Sequence, residues 1–169
     1  MTDLEVLSFI SLKMFYAVMC GFIVGVERKI NHAPAGFKTQ ILVCVGAMLF
    51  TCIPVIVGAT MITEQARVIA QIVTGVGFLG AGAIMNKGGE RRNVAGLTTA
   101  AWIWFTAAVG IMSGVGHGLV ALFVTSTLVA VISIARFVER KYFPSDSHSH
   151  EEHPIVIKDK SKNHIRKVG

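Results

Sequence analysis

The stretch ARVIAQIVTGVGFLGAGAIM, Ala66 to Met85, holds Gly75, Gly77 and Gly80 in a G-x-G-x-x-G spacing. Such glycines cradle a dinucleotide pyrophosphate when a strand leads in, a soluble helix leads out and an acid follows about 20 residues later. Neither context is met. AQIVT precedes the glycines inside a charge-free run from Val68 to Asn86, and the downstream acid, Glu90, comes only ten residues after Gly80. A run this long and apolar reads as a membrane-crossing helix, because the roughly 30 Å hydrocarbon core takes about 20 helical residues to cross. Gly75, Gly77, Gly80 and Gly82 then leave two turns of that helix almost without side-chain cover. This suits close helix contact, or a local break whose freed backbone groups are buried in protein.

The rest of the chain agrees with this solvent. It is 53% hydrophobic and 15% charged, with a mean hydropathy of +0.62, and Met14 to Val26, Thr39 to Thr63 and Asn93 to Ala135 also lack Asp, Glu, Lys and Arg. Five spans are predicted, at about residues 7–26, 39–57, 66–85, 97–115 and 119–137. The fold class is an all-α membrane protein. MTDLEVLSF carries Asp3 and Glu5 where a signal peptide carries a basic region, so the first span is expected to be retained. Cys20, Cys44 and Cys52 lie in apolar runs and read as small hydrophobes.

Lys and Arg follow span one (Arg28, Lys29, Lys38), span three (Lys87, Arg91, Arg92) and span five (Arg140, Lys141 and the tail), while the alternate segments have none. The positive-inside rule therefore places the N-terminus outside and the C-terminus in the cytoplasm. The net charge of +6 fits loops beside anionic lipid and calls for no nucleic acid. Residues 1–143 form the membrane domain in this reading, and 144–169 a flexible polar tail. In the tail, His148, His150 and His153 offer a weak metal-binding set without a visible supporting shell. No cofactor is expected. Glu27 to Thr39 (ERKINHAPAGFKT) and Glu90 to Thr99 (ERRNVAGLTT) share Glu-Arg-basic followed by Ala-Gly-apolar-x-Thr, which suggests that spans one and two are duplicated in spans three and four.

Polar residues at or within spans are functional candidates by default. Glu27 and Arg28 follow Gly21-x-x-x-Gly25, a close-approach motif, and read either as a local ion pair or as a carboxylate that holds the loops together or binds. Arg67 and Gln71, at i and i+4, read as interfacial anchor plus interhelical hydrogen bond, or as a patch lining an outward-facing cavity. Thr39, Thr98 and Thr99 lie at helix starts, where capping is the favoured role and anion binding the alternative. Lys13 is expected to snorkel to the interface. No acid lies in the middle of a span, and no catalytic set or P-loop is present, so a non-enzyme is expected.

GFIVGVER (Gly21–Arg28), AGFKTQILVCVGAMLF (Ala35–Phe50), ARVIAQIVTGVGFLGAGAI (Ala66–Ile84) and VAGLTTAAWIWFTAAVGI (Val94–Ile111), in this order, resemble the MgtC/SapB family of bacterial inner-membrane proteins. The resemblance covers about residues 6–137 and implies about five spans and a role in adaptation to low magnesium. In pathogens it also implies survival inside macrophages. Its motifs point to Glu27, Arg28, Gly36, Thr39, Arg67, Gln71, Gly75, Gly77, Gly80, Gly82, Gly96, Thr98 and Thr99. The polar tail in place of a folded regulatory domain makes the shorter SapB-like branch the closer comparison. The expected partners are the lipid bilayer, with further copies of the chain or other membrane proteins. An ion transporter or channel, working as an oligomer, is the competing function.

Overall fold

The computed structural model of the protein describes residues 2–59, 61–85 and 96–142. Their regular structure is five α-helices: α1 (Asp3–Ile30), α2 (Phe37–Ile56), α3 (Ile62–Met85), α4 (Leu97–Val115) and α5 (Gly118–Tyr142). Each is long and apolar enough to cross a membrane. The bundle described below lies within residues 1–134, the first of two units; the described part of the second is the end of α5.

Helix ends run further than the apolar runs alone suggest, because local hydrogen bonds extend them. At the start of α1, the Thr2 hydroxyl accepts from the Glu5 N–H while the Glu5 carboxylate accepts from the Thr2 N–H, a reciprocal capping box. At its end, the Ala33 N–H donates to the Arg28 carbonyl and the His32 N–H to the Lys29 carbonyl. These paired bonds form a Schellman motif. The same pattern closes α2 around Gly58 and α4 around Gly116, all three central residues having positive φ. His32 fills at φ 53° a position where a β-carbon costs about 1 kcal/mol.

Helix α2 is the centre of the bundle. A methyl group at Gly21 of α1 would sit 2.7 Å from the Ile41 Cα, and one at Gly25 would collide with the Phe37 Cα. On the opposite flank, a methyl at Gly110 of α4 would meet the Cys44 carbonyl oxygen, and one at Gly114 would lie 2.8 Å from that of Met48. Contacts that advance in opposite senses make α1 antiparallel to α2; those that advance together make α4 parallel to it. Both seams use a Gly-x-x-x-Gly pair, the device that lets helix backbones approach where lipid, as apolar as leucine, gives no hydrophobic drive.

The core they enclose is small and rich in sulfur. Ala17, Cys20, Cys44, Met48, Cys52, Val109 and Ala121 form one buried cluster, which joins α1, α2, α4 and the first turns of α5. A second cluster of Ala35, Ala47, Val76, Ile103 and Ala107 brings in α3. Hydroxyls in the spans satisfy themselves: Thr51, Ser113 and Thr125 each donate to the carbonyl four residues back.

Helix α3 decides against one of the two readings of its glycines, the local break. It is helical from Ile62 to Met85, so no break occurs at them. Among the described residues they make no tight contact: Gly80 stands in ordinary contact with the Ala100 Cβ at 3.5 Å, and a methyl at Gly75, Gly77 or Gly82 would meet nothing within 4 Å. The reason is rotational. Val76 is the buried residue of this helix, and at about 100° per residue the other glycines fall beside or away from it. Among the described residues the suggested duplication is visible at the helix starts. Gly36 and Gly96 occupy both N-caps, but Gly36 is extended and Gly96 left-handed, and tight contact lies on the α1 glycines in one pair and on Gly96 against Ala83 in the other. Residues 86–95 of the second motif lie outside the described residues.

Substitutions should separate the two kinds of glycine. Gly110→Ala, which forces a methyl into the α2 backbone, is expected to lower the thermal midpoint of the detergent-purified protein markedly. Gly77→Ala should leave it unchanged or raise it, since alanine favours a helix by about 0.5–1 kcal/mol over glycine where there is room.

Candidate functional site

The end of the bundle where α1 stops and α2 and α4 begin carries its buried charge. Glu27 and Arg28 lie in the last turns of α1 and are 4% and 5% exposed. The Gly25 contact draws the start of α2 over them. An Arg28 Nη1 lies 3.7 Å from a Glu27 carboxylate oxygen, and the Arg28 guanidinium carbon lies 5.8 Å from the centre of the Trp102 ring on α4, within cation–π reach. The Asn31 amide ties the helix end to the same acid, donating to the Glu27 carbonyl at 2.7 Å and to its carboxylate at 3.1 Å. Glu27, Asn31 and, on α5, Ser133 are the polar residues lining an otherwise apolar cavity of about 330 Å³, whose α5 wall also includes Val129.

One turn deeper, Gln40 of α2 is fully buried, and its Oε1 accepts from the Thr106 hydroxyl of α4 at 2.7 Å. Its Nε2 has no hydrogen-bond partner among the described residues. This bond joins α2 to α4 between their starts and the glycine seam. At the opposite end Lys13 does not snorkel. Its ammonium donates to the Gly114 carbonyl at 2.8 Å and lies 3.6 Å from the Phe9 ring centre. Gly114 is in the last turn of α4, where carbonyls lack helical partners and a cation is favoured.

The other predicted residues are placed apart from this cluster. Thr39 and Thr98 are exposed and Thr99 is buried. None of the three caps a helix by occupying its N-cap: those of α2 and α4 are Gly36 and Gly96, without side-chain caps. The threonines fall inside the first turn instead, two or three residues too late to cap. Arg67 and Gln71 are exposed on α3 and are not brought to Glu27. Residues His148, His150 and His153 lie outside the described residues. Gln40, Asn31, Trp102 and Thr106 were not anticipated. A usable signal existed: Thr106, Gly110 and Gly114 recur at four-residue spacing, matching Gln40, Cys44 and Met48 on α2.

Thr106→Val removes the donor to a buried amide. It is expected to destabilise the protein by about 1–3 kcal/mol, the cost of leaving such a group unmade. Adding Gln40→Leu should recover part of this loss in a double-mutant cycle of unfolding in detergent, where two independent effects would instead add.

Comparison with known proteins accords with this architecture. Residues 14–141 match the MgtC family. Protein MgtC of Brucella abortus is 42% identical over 120 residues, 71% of this chain and 48% of that protein. Protein MgtC of Salmonella typhimurium is 37% identical over 125 residues, 74% of this chain and 52% of that protein. An uncharacterized protein of Haemophilus influenzae is 30% identical over 154 residues, 87% of this chain and 64% of that protein. The chain thus spans about half to just under two thirds of these relatives. No solved structure matches it. With five helices fit to cross a bilayer and a match over most of its length, the chain is a multi-pass membrane protein that belongs to the MgtC family.

Proposed function

We propose that the chain is a non-enzymatic protein of the bacterial inner membrane, serving adaptation to low magnesium or related ionic stress through partner membrane proteins or through ion homeostasis. The observation that carries this reading is the separation of its buried charges. Glu27 and Arg28 close one end of the bundle and Lys13 is held at the other. Between Gln40 and Thr51 the buried α2 side chains are Cys44, Ala47 and Met48. Selective conduction uses rings of carbonyls or charged groups along a path; an apolar seam with charged groups held at its two ends suits a rigid body that presents its surface to others. The Glu27 carboxylate is engaged by the Arg28 guanidinium and the Asn31 amide, which suits an acid that fastens helix ends and supports the non-enzymatic reading. Basic residues at the end of α1, set against an acidic first turn, support an N-terminus outside the cytoplasm.

A second reading has its own observation. Arg67, Gln71 and Thr74 are exposed along α3, so an oligomer could line an ion path with them.

A deletion strain grown in limiting magnesium tests the first reading. The wild-type gene should restore growth, and Glu27→Gln, though inserted normally, should restore less than half of it. Purified protein in liposomes should pass Mg²⁺ no faster than empty vesicles. A saturable Mg²⁺ flux that disappears with Glu27→Gln would establish the second reading in its place.

A further inference from the structure

Helix α3 carries exposed polar side chains along its length. Gln71 lies nine residues from the start of a 24-residue helix, which at about 1.5 Å per residue puts it within roughly 4 Å of the middle of the span. Its side chain is exposed, and it makes no hydrogen bond with any described residue. An amide in hydrocarbon without a partner costs several kcal/mol, and acyl chains offer none. Intramembrane polar groups normally face protein or a water-filled cavity. This one is exposed at the groove between α2 and α3, where no described residue supplies it a partner.

The surroundings of Gln71 are ordered in a seven-residue repeat. Glu64, Gln71, Phe78 and Met85 recur at that interval, and Arg67 falls three residues after Glu64 on the same face. All are exposed, Phe78 and Met85 at 81% and 79%. Beside them, also seven apart, Gly75 and Gly82 leave open space where a backbone can approach. A groove of about 580 Å³ between α2 and α3 adjoins this line at Gln71 and Gly75. Heptad spacing over three turns and more is the pattern by which one helix seats against another.

We infer that this face of α3 is the contact between two copies of the chain, related by a two-fold axis along the membrane normal. Self-complementarity selects the second copy as occupant. Copies inserted in the same sense hold Gln71 at the same depth, and an amide carries both donor and acceptor, so Gln71 pairs with itself across the axis. Glu64 and Arg67 are opposite charges one turn apart near the end of the helix, and the same axis brings each within reach of the other on the partner. Gly75 and Gly82 let the backbones close, with Phe78 covering the glycines of the opposite copy. The inference adds a partner and a surface to the functional reading and does not depend on it.

The test uses full-length protein in phosphatidylethanolamine/phosphatidylglycerol liposomes, where single-molecule photobleaching counts copies per complex as the protein-to-lipid ratio is varied. Wild type should pass from monomer to dimer as the ratio rises. Gln71→Leu should weaken the dimer about three- to tenfold, the range measured for interhelical polar bonds in membranes, and Gln71→Asn should retain most of it. Because the side chain is exposed, the thermal midpoint of Gln71→Leu should stay at the wild-type value, which separates loss of contact from loss of fold. Phe78→Cys should form a disulfide-linked dimer on oxidation, and Phe123→Cys on α5 should not. Wild type that stays monomeric at every ratio, a Gln71→Leu dimer as tight as wild type, or equal cross-linking at Phe123 would overturn the inference.

Discussion

The α2 backbone is pressed between glycines on two flanks, and the other features of the bundle follow from that closeness. In hydrocarbon, water can neither drive helices together nor satisfy the polar groups they leave exposed. Association depends on contact distance, which Gly21, Gly25, Gly110 and Gly114 set by bringing main chain against main chain. The space left along the seam admits only small or slender side chains, hence Ala17, Cys20, Cys44, Met48 and Cys52. Hydroxyl groups fit because they fold back onto their own helices, and the one long amide, Gln40, fits because Thr106 meets it.

Charge is confined to the two ends of this seam, and each end uses a helix terminus. Where α1 ends, Asn31 and Arg28 surround the Glu27 carboxylate and the Trp102 ring lies beside the guanidinium. Where α4 ends, its Gly114 carbonyl accepts from both the Lys13 ammonium and the Cys52 thiol. A lysine two turns into a span would ordinarily stretch toward the headgroups. This one stays because an unsatisfied carbonyl and an aromatic face are nearer, so α1 is fastened to α4 at a depth that neither sequence specifies alone.

Much of this fold was legible in the residues, and the division is physical. Charge-free length announces a span whatever it packs against, so the five helices could be placed from composition, with capping hydrogen bonds accounting for the extra turns. The Gly21/Gly25 pair could be read because Glu27 and Arg28 follow it at a junction. Gly110 and Gly114 escaped notice beside the denser run from Gly75 to Gly82, since small size shows where a backbone can approach and not which neighbour does so. Only the rotation of α3 about Val76 reveals that Gly75, Gly77 and Gly82 have open space beside them among the described residues. Thr39, Thr98 and Thr99 misled for a related reason: helix starts were located correctly to within a turn, but a cap requires one particular residue, and glycine holds it in both helices. Gln40 was overlooked because a neutral amide near a basic loop looks interfacial until its neighbours enclose it.

The three thiols give the molecule an internal gauge. Cys20, Cys44 and Cys52 have no accessible surface, and they are distributed over α1 and α2 along the glycine seam. An alkylating reagent can reach them only after the helices part, so the rate of their modification clocks the opening of the bundle. The same chemistry that packs the core therefore reports how often it comes apart, without a probe being added to the chain.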